Sequence, residues 1–397
     1  MPEPSLLVRI PVVNRSREMA GYDLRMSAAA SSGNEELAAL FGLANDQSSL
    51  FSRVPNRFVL SDGAQGELAA PAQQHAGRLN LSVDPAAPGA PVSVPQLKKW
   101  RAAGFGICVH RPYASELAPE VLDEASFVTL DCAELGARSE KTCTQLRRHS
   151  AKQIAIGVDS LHAFETALAA GCDLFRGYHF TKVAGQQSHA ISPSYATIVT
   201  LMQLTQQNAP VAKIEEALKR DATISFRLLR YINSAGFGLS CEIQSFRHAV
   251  AVLGYQNLYR WLALLMVTAA RQSASALLTT AVMRGRLTEL LGDGLFDQQQ
   301  RDNLFIVGAF SLLDAILKAP LEDIVEQIPL SENILEALFR HEGPYGPLLS
   351  IVEAAESFSQ PQARAKALET AELLGISAQQ LNRAQLEALV WAEAIGH

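Results

Sequence analysis

Two rhythms of apolar residues run along this chain. In the first half, short β-rich runs alternate with segments of helical period. Leu6 to Val13 is β-rich and broken by Pro11, and Ala20 to Leu24 gives a second run. Phe58 to Leu60, Leu79 to Val83, Gly106 to Val109, Phe127 to Leu130 and Ile154 to Val158 follow. Between them, Glu35 to Leu43, Gln96 to Ala103, Arg138 to His149 and His162 to Ala170 read as helices. Strands alternating with helices imply βα units and a parallel sheet.

The second rhythm starts after Gly185-Gln186-Gln187-Ser188, where the domain boundary is placed, giving domains of 1–185 and 190–397. Beyond it nearly every segment has helical period. Pro193 suits a first helical turn, followed by Ile198, Leu201, Met202 and Leu204. Val211, Ile214 and Leu218 mark the next helix. Asp221 suits an N-cap for a helix through Ile224, Leu228, Leu229 and Ile232, stopped by Asn233-Ser234, Gly236 and Gly238. Ser245 suits a second cap, and that helix places Phe246, Ala249, Val250 and Leu253 on one face before Gly254 closes it. The most apolar run, Trp261 to Ala270, is too short to span a bilayer and reads as a buried helix. Trp261, Leu262, Leu265 and Met266 exceed one obvious core, so they are either interior or an interaction patch. Later helices run from Leu304 to Leu317, Glu322 to Ile328, Glu332 to Arg340, Leu348 to Phe358, Arg364 to Leu374 and Ala378 to Ile395.

Composition narrows the class. At 397 residues the chain is long for one core. A hydrophobic share of 48% against 19% charged describes a globular protein. The net charge of −6 and pI near 5.9 argue against a nucleic-acid groove as the main feature. The five cysteines form no C-x-x-C pair, and an odd count without a framework fits a reducing compartment. The opening MPEPSLLVRIPVV lacks a basic segment ahead of an apolar one, so no signal peptide is expected. The expected location is cytoplasmic, with no membrane span.

Chemistry enters through two resemblances. The stretch DATISFRLLRYINSAGFGLSCEIQSFRHAVAVLG, Asp221 to Gly254, carries the pattern D-x-x-x-S-x-x-L-L-R-x-I-N-S-A and then I-x-S-F-x-x-A-V-x-x-L-G. It resembles the core of HDOD domains, all-helical modules related to HD-type metal phosphohydrolases but lacking their metal site. Ile306 to Asp314, and Ala337 to Phe339 through Gly343 to Leu349, look like the C-terminal part of such proteins. Gly308 and Gly346 suit close helix packing or turns. There is no His-Asp dyad: His248 precedes Ala249, and His341 precedes Glu342.

In the first half, five ordered stretches together resemble the EAL domain, a TIM-like barrel that hydrolyses cyclic di-GMP with two metal ions and a catalytic Lys. These are Arg9 to Val12 with Gly21 to Leu24, Trp100 to Phe105, Phe127 to Asp131, Ala155 to Ser160, and Gly171 to Lys182. Set against that family, the site is altered. Asp23 stands at the signature Glu, Ser27 at the substrate-gripping Arg, and His110-Arg111 at the paired Asp-Asp of the metal strand. Thr129 replaces the Lys, Ile156 and Asp159 stand at two late Glu positions, and Arg176 replaces a Gln. Either Leu60 or Asn80 holds the slot of the Asn ligand, or Asn80 stands at the next strand's Glu. The remnant site positions are Asp23, Asp131, Asp159 and Lys182, and their plain alternative is polar groups that hold strand ends together.

The resemblances imply an α/β plus all-α chain: a degenerate, shortened TIM-like EAL barrel followed by an all-helical HDOD domain. Its expected role is non-catalytic, a bacterial-type signal-transduction regulator acting through protein–protein contacts. No catalytic residue, metal or cofactor is expected, nor a nucleic-acid partner. The expected partners are signalling proteins, with cyclic di-GMP binding weak or absent. A receptor that binds cyclic di-GMP without cleaving it is the first rival, and a residual phosphodiesterase the second.

Overall fold

The computed structural model describes residues 6–26, 58–61, 76–84, 93–110, 118–135, 146, 149–182, 193–219, 224, 246–268, 275–356 and 361–395. They fall into two compact units, Met1–Lys182 with Ala355–Leu368, and Val183–Ala354 with Glu369–His397. The strands are β1 (Leu7–Asn14), β2 (Met19–Met26), β3 (Phe58–Ser61), β4 (Leu79–Val83), β5 (Gly106–Val109), β6 (Phe127–Asp131), β7 (Lys152–Ile156) and β8 (Leu174–Arg176). The first helices are α1 (Val94–Ala102), α2 (Pro119–Glu124) and α3 (Leu161–Ala169). Then come α4 (Pro193–Gln206), α5 (Val211–Lys219), α6 (Phe246–Thr268), α7 (Ser275–Leu291), α8 (Gln298–Phe310), α9 (Leu313–Leu317), α10 (Leu321–Val325), α11 (Glu332–Arg340), α12 (Gly346–Glu356), α13 (Pro361–Leu373) and α14 (Ala378–Ile395).

The strands close a ring in sequence order, with β1 also bonded to β8. From β2 to β8 every pairing is parallel, as the βα alternation requires. The first strand departs from that expectation: β1 is antiparallel to both neighbours. The reason is the short link after it. Asn14 Oδ1 accepts from the N–H groups of Ser16 and Glu18, both at 2.9 Å, and Arg17 turns at φ 59°. A link that tight makes a hairpin and leaves no room for a crossover.

Pro11 does not break β1. It sits in register opposite Tyr22, and its carbonyl accepts from Gly177 N at 3.1 Å, just past the β8 ladder. A strand residue turns its nitrogen and carbonyl to the same side, so the absent N–H removes no bond to β2. Val12, Cys108, Ile154, Ile156 and Leu174 form one buried apolar cluster of the ring, each aliphatic side chain contributing roughly 2 kcal/mol by burial.

The helical unit is built around α6 and α7. Gly254 interrupts α6 at φ 75°, ψ 170°, a backbone that side chains rarely adopt. It ends the first limb as the sequence suggested, but a second limb begins at once. Arg247–Thr268 is long and apolar enough by length and composition to cross a membrane. The break leaves a straight limb after Gly254 of only about 21 Å, short of the ~30 Å hydrocarbon core. In that limb Trp261, Leu262, Leu265 and Met266 are all 6% exposed or less. They are interior, and the idea that they form an interaction patch is wrong.

Helix α7 packs against α8 and α14. Two glycines set the α7–α8 approach. A Cβ at Gly308 meets Arg284 O and Thr288 Oγ1 at 2.4 Å, and one at Gly285 meets Phe305 O at 2.9 Å. The helix expected from Leu304 to Leu317 is two helices. Ser311 closes α8, its Oγ donating to Gly308 O at 2.8 Å, and Leu312 at φ −120° turns the chain into α9.

Several expectations fall outside the described residues: the helix from Glu35 to Leu43, most of that from Arg138 to His149, and the boundary at Gly185 to Ser188. The stretch from Asp221 to Ser245 does too, apart from buried Ile224.

Candidate functional site

The chemistry-bearing side chains of the ring gather toward the C-terminal ends of its parallel strands, the face where barrels of this type carry their sites. Asp23 lies in β2 with a fully buried side chain. Its Oδ2 accepts from Arg25 Nε at 3.0 Å and from Arg176 Nη1 at 2.5 Å. Arg25 is two residues on in the same strand, hence on the same face. Arg176 ends β8, across β1 in the ring. The guanidinium side chains are 11% and 8% exposed, so all three charges sit away from water. Asp23 Oδ1 has no hydrogen-bond partner.

His110 follows β5, and its N–H extends the ladder to Val83 O at 2.7 Å. Its Nδ1 lies 2.8 Å from Thr129 Oγ1 on β6, where Thr129 is 2% exposed. Asn80 on β4 leans into the space that Gly106 leaves open on β5; a Cβ at Gly106 comes within 1.8 Å of Asn80 Oδ1.

The other remnant positions are occupied locally. Asp131 ends β6 and caps the turn after it, Oδ1 accepting from Ala133 N at 3.0 Å. Asp159 is exposed, and its Oδ1 accepts from Tyr178 N at 3.0 Å. Between them Gly177 turns at φ 147°, where a Cβ meets Val158 O at 2.2 Å, so only glycine fits. Tyr178 then donates its hydroxyl to Arg9 O at 2.5 Å, fastening the segment to β1. Lys182 is exposed and closes the short 3-10 turn His179–Thr181. Asp23 is therefore brought together with Arg176 and Arg25, while Asp131, Asp159 and Lys182 each serve a strand end or turn.

These residues do not fit a two-metal centre. A divalent ion needs carboxylate oxygens at roughly 2.0–2.2 Å with free lone pairs, and the bonded oxygen of Asp23 is covered by two guanidiniums. Among the described residues no three His, Cys, Asp or Glu side chains converge on one point. The arrangement ties the strand ends of the ring together by charge-assisted hydrogen bonds.

Sequence reasoning missed Arg25, though its i+2 spacing from Asp23 in a strand was the available signal. It also missed His179. That imidazole is 2% exposed, stacks on Phe164 with ring centroids 4.3 Å apart, and has neither ring nitrogen hydrogen-bonded. Burial, with Arg17 adding to it, pushes its pKa down to about 4.

Comparison with known proteins places this geometry. Residues 191–310 match the HDOD domain family. The chain is 27% identical over 281 residues to the cyclic di-GMP phosphodiesterase CdgJ of Vibrio cholerae, covering 69% of this chain and 64% of that protein. It is 25% identical over 282 residues to the uncharacterized protein YuxH of Bacillus subtilis, covering 68% of each. The match thus spans about two thirds of the length of these relatives. Among solved structures, the PaMucR phosphodiesterase in complex with c-di-GMP matches 44% of this chain and 90% of its own, at 17% identity and a TM-score of 0.36. The chain thus has a closed ring of eight strands followed by a helical region in which residues 191–310 match the HDOD domain family.

Proposed function

We propose that this EAL–HDOD chain is a non-catalytic regulator in a cyclic di-GMP-related bacterial signalling pathway, working through contacts with other signalling proteins. The observation that carries the reading is the double clamp on Asp23. Arg25 and Arg176 both bind the carboxylate at the position of the family's signature Glu. A carboxylate neutralised in this way is a structural group, and water activation by paired metals has no seat there. The His110–Thr129 pair agrees, since it occupies the metal-strand and Lys positions of the resemblance with an imidazole–hydroxyl hydrogen bond. Remnants of hydrolytic scaffolds without the hydrolytic groups leave binding surfaces as the function.

The rival reading is a working phosphodiesterase, and the name of the Vibrio cholerae relative favours it. One assay separates the two. Full-length protein is incubated with cyclic di-GMP and Mg2+ or Mn2+, and the products are resolved by chromatography. The proposal expects intact cyclic di-GMP. Linear pGpG that accumulates only with metal overturns it. Titration calorimetry with cyclic di-GMP on the same protein tests the receptor alternative. Weak or absent heat is expected, and submicromolar affinity makes the chain a receptor.

A further inference from the structure

The helical unit contains a cleft of about 260 Å3 that the barrel's chemistry does not use. Four stretches line it: the end of α4, the start of the second limb of α6, the first turns of α8, and Pro329 to Ile334. Its walls are two fixed tyrosines. Tyr255 donates its hydroxyl to Ala209 O at 2.7 Å, and Tyr259 to Pro329 O at 2.5 Å. Its rim carries four exposed carboxamides, Gln206, Asn208, Gln256 and Gln299, whose side chains make no hydrogen bond to the described residues.

The floor decides what the cleft can take. Asp302 is 5% exposed. Its Oδ1 receives both Arg260 Nη1 at 3.4 Å and Gln298 Nε2 at 3.1 Å. Oδ2 receives neither, and Asp302 lines the cleft. Arg260, the cation that lines it, is already committed: Nη2 donates to Glu289 Oε2 at 2.6 Å, and the guanidinium lies 4.6 Å over the Phe305 ring. Behind it Arg286 binds Glu289 at 3.0 Å and Glu387 at 2.9 Å. Three carboxylates thus face two guanidiniums, and the surplus is negative. Arg260 Nε and the rim carboxamide N–H groups are left as donors, but the carboxylate surplus beneath them opposes an anion. A cation finds a bare carboxylate oxygen and aromatic walls, which favour positive charge.

We propose that this cleft binds a small organic cation, a protonated amine that seats its ammonium on Asp302 Oδ2 and its neutral polar groups on the rim carboxamides. Binding there is independent of the barrel and of any action on cyclic di-GMP. The test is titration calorimetry on the full chain with tyramine and agmatine, and with N-acetyltyramine as the uncharged counterpart. One amine per chain is expected, with N-acetyltyramine roughly tenfold weaker or worse, the loss of one charge-assisted bond. Asp302→Asn should weaken the amines by a similar factor and leave N-acetyltyramine unchanged. If circular dichroism shows Asp302→Asn unfolded, Gln256→Lys takes its place, setting a like charge at the exposed rim and weakening the amines in the same way. No saturable amine binding, equal binding of N-acetyltyramine, or amine binding indifferent to the folded variants overturns the proposal.

Discussion

His110 Nδ1 and Thr129 Oγ1 lie 2.8 Å apart, so the ends of β5 and β6 are tied to each other by a side-chain hydrogen bond. Thr129→Val keeps the shape and removes the oxygen that faces the half-buried His110 ring, at a position itself only 2% exposed. The expected loss is about 1 kcal/mol, read as a lower urea midpoint with an unchanged slope. An unchanged midpoint would mean that the bond contributes nothing.

Asp23 holds two buried guanidiniums. Asp23→Ala removes the carboxylate that binds the buried guanidiniums of Arg25 and Arg176, at an expected cost of ~3–5 kcal/mol. Arg176→Met removes one of the two donors and leaves Arg25 on the carboxylate, so it should cost less. Denaturant melts of both variants check the order. The reverse order would show that Arg176, not Asp23, is the keystone of the rim.

His179 sets an acid sensitivity. Its folded pKa is depressed to about 4, while the unfolded chain takes the ordinary value of 6.5. Above pH 6.5 both states are neutral and no penalty exists. As pH falls from 6.5 toward 4, the unfolded state binds the proton first, so stability drops through that window and levels below it. The full drop is on the order of 3 kcal/mol at most. His179→Phe should keep the stacking on Phe164 and flatten that part of the pH profile. A profile unchanged by the substitution assigns the acid sensitivity elsewhere.

Gly308 allows α7 and α8 to touch. Its Cβ site is filled by backbone, Arg284 O at 2.4 Å and Arg284 C at 2.6 Å, so nothing soft can move aside. Gly308→Ala should therefore destabilise the helical unit by roughly 1–3 kcal/mol. Thermal melts of the full chain measure it. An exposed glycine such as Gly294, open on all sides and at φ 79°, is the control for backbone strain alone.

Much of the ring was legible because its strands are short, β-rich and separated by segments of another period. β8 was not, since Leu174–Arg176 is too short for any period to show. Pro11 misled because the residue type suggests a break, while only the pairing direction of its nitrogen decides whether a bond is lost. Among the helices, α7 escaped altogether. Ala276, Leu277, Thr280, Val282, Arg284, Leu287, Thr288 and Glu289 are all buried, so the helix has no polar face to alternate with an apolar one. Buried Arg284 and Glu289 read as surface residues until their partners, Glu353 and Arg260, are placed.

The candidate site was legible as a set of substitutions but not as an arrangement. The sequence shows Asp23 and Arg176 far apart and of opposite charge; it does not show that the ring sets them in contact. Asp131 and Asp159 carry the same letter as Asp23, yet they cap a turn and fasten Tyr178. The amine cleft left no mark at all. Its residues come from four separate stretches, and each one taken alone is an ordinary polar position on a helix or in a loop.

The closing of the ring also sets an order of assembly. During synthesis the β1–β2 hairpin emerges long before Arg176, the partner of Val12, exists. Until then one side of β1 stands as an open edge, the kind of surface that recruits strands from other chains. Pro11 sits on that edge and offers a carbonyl without an N–H, so a stray strand cannot complete its ladder there. The residue that looked like a strand breaker protects the nascent chain while the ring waits for its last strand.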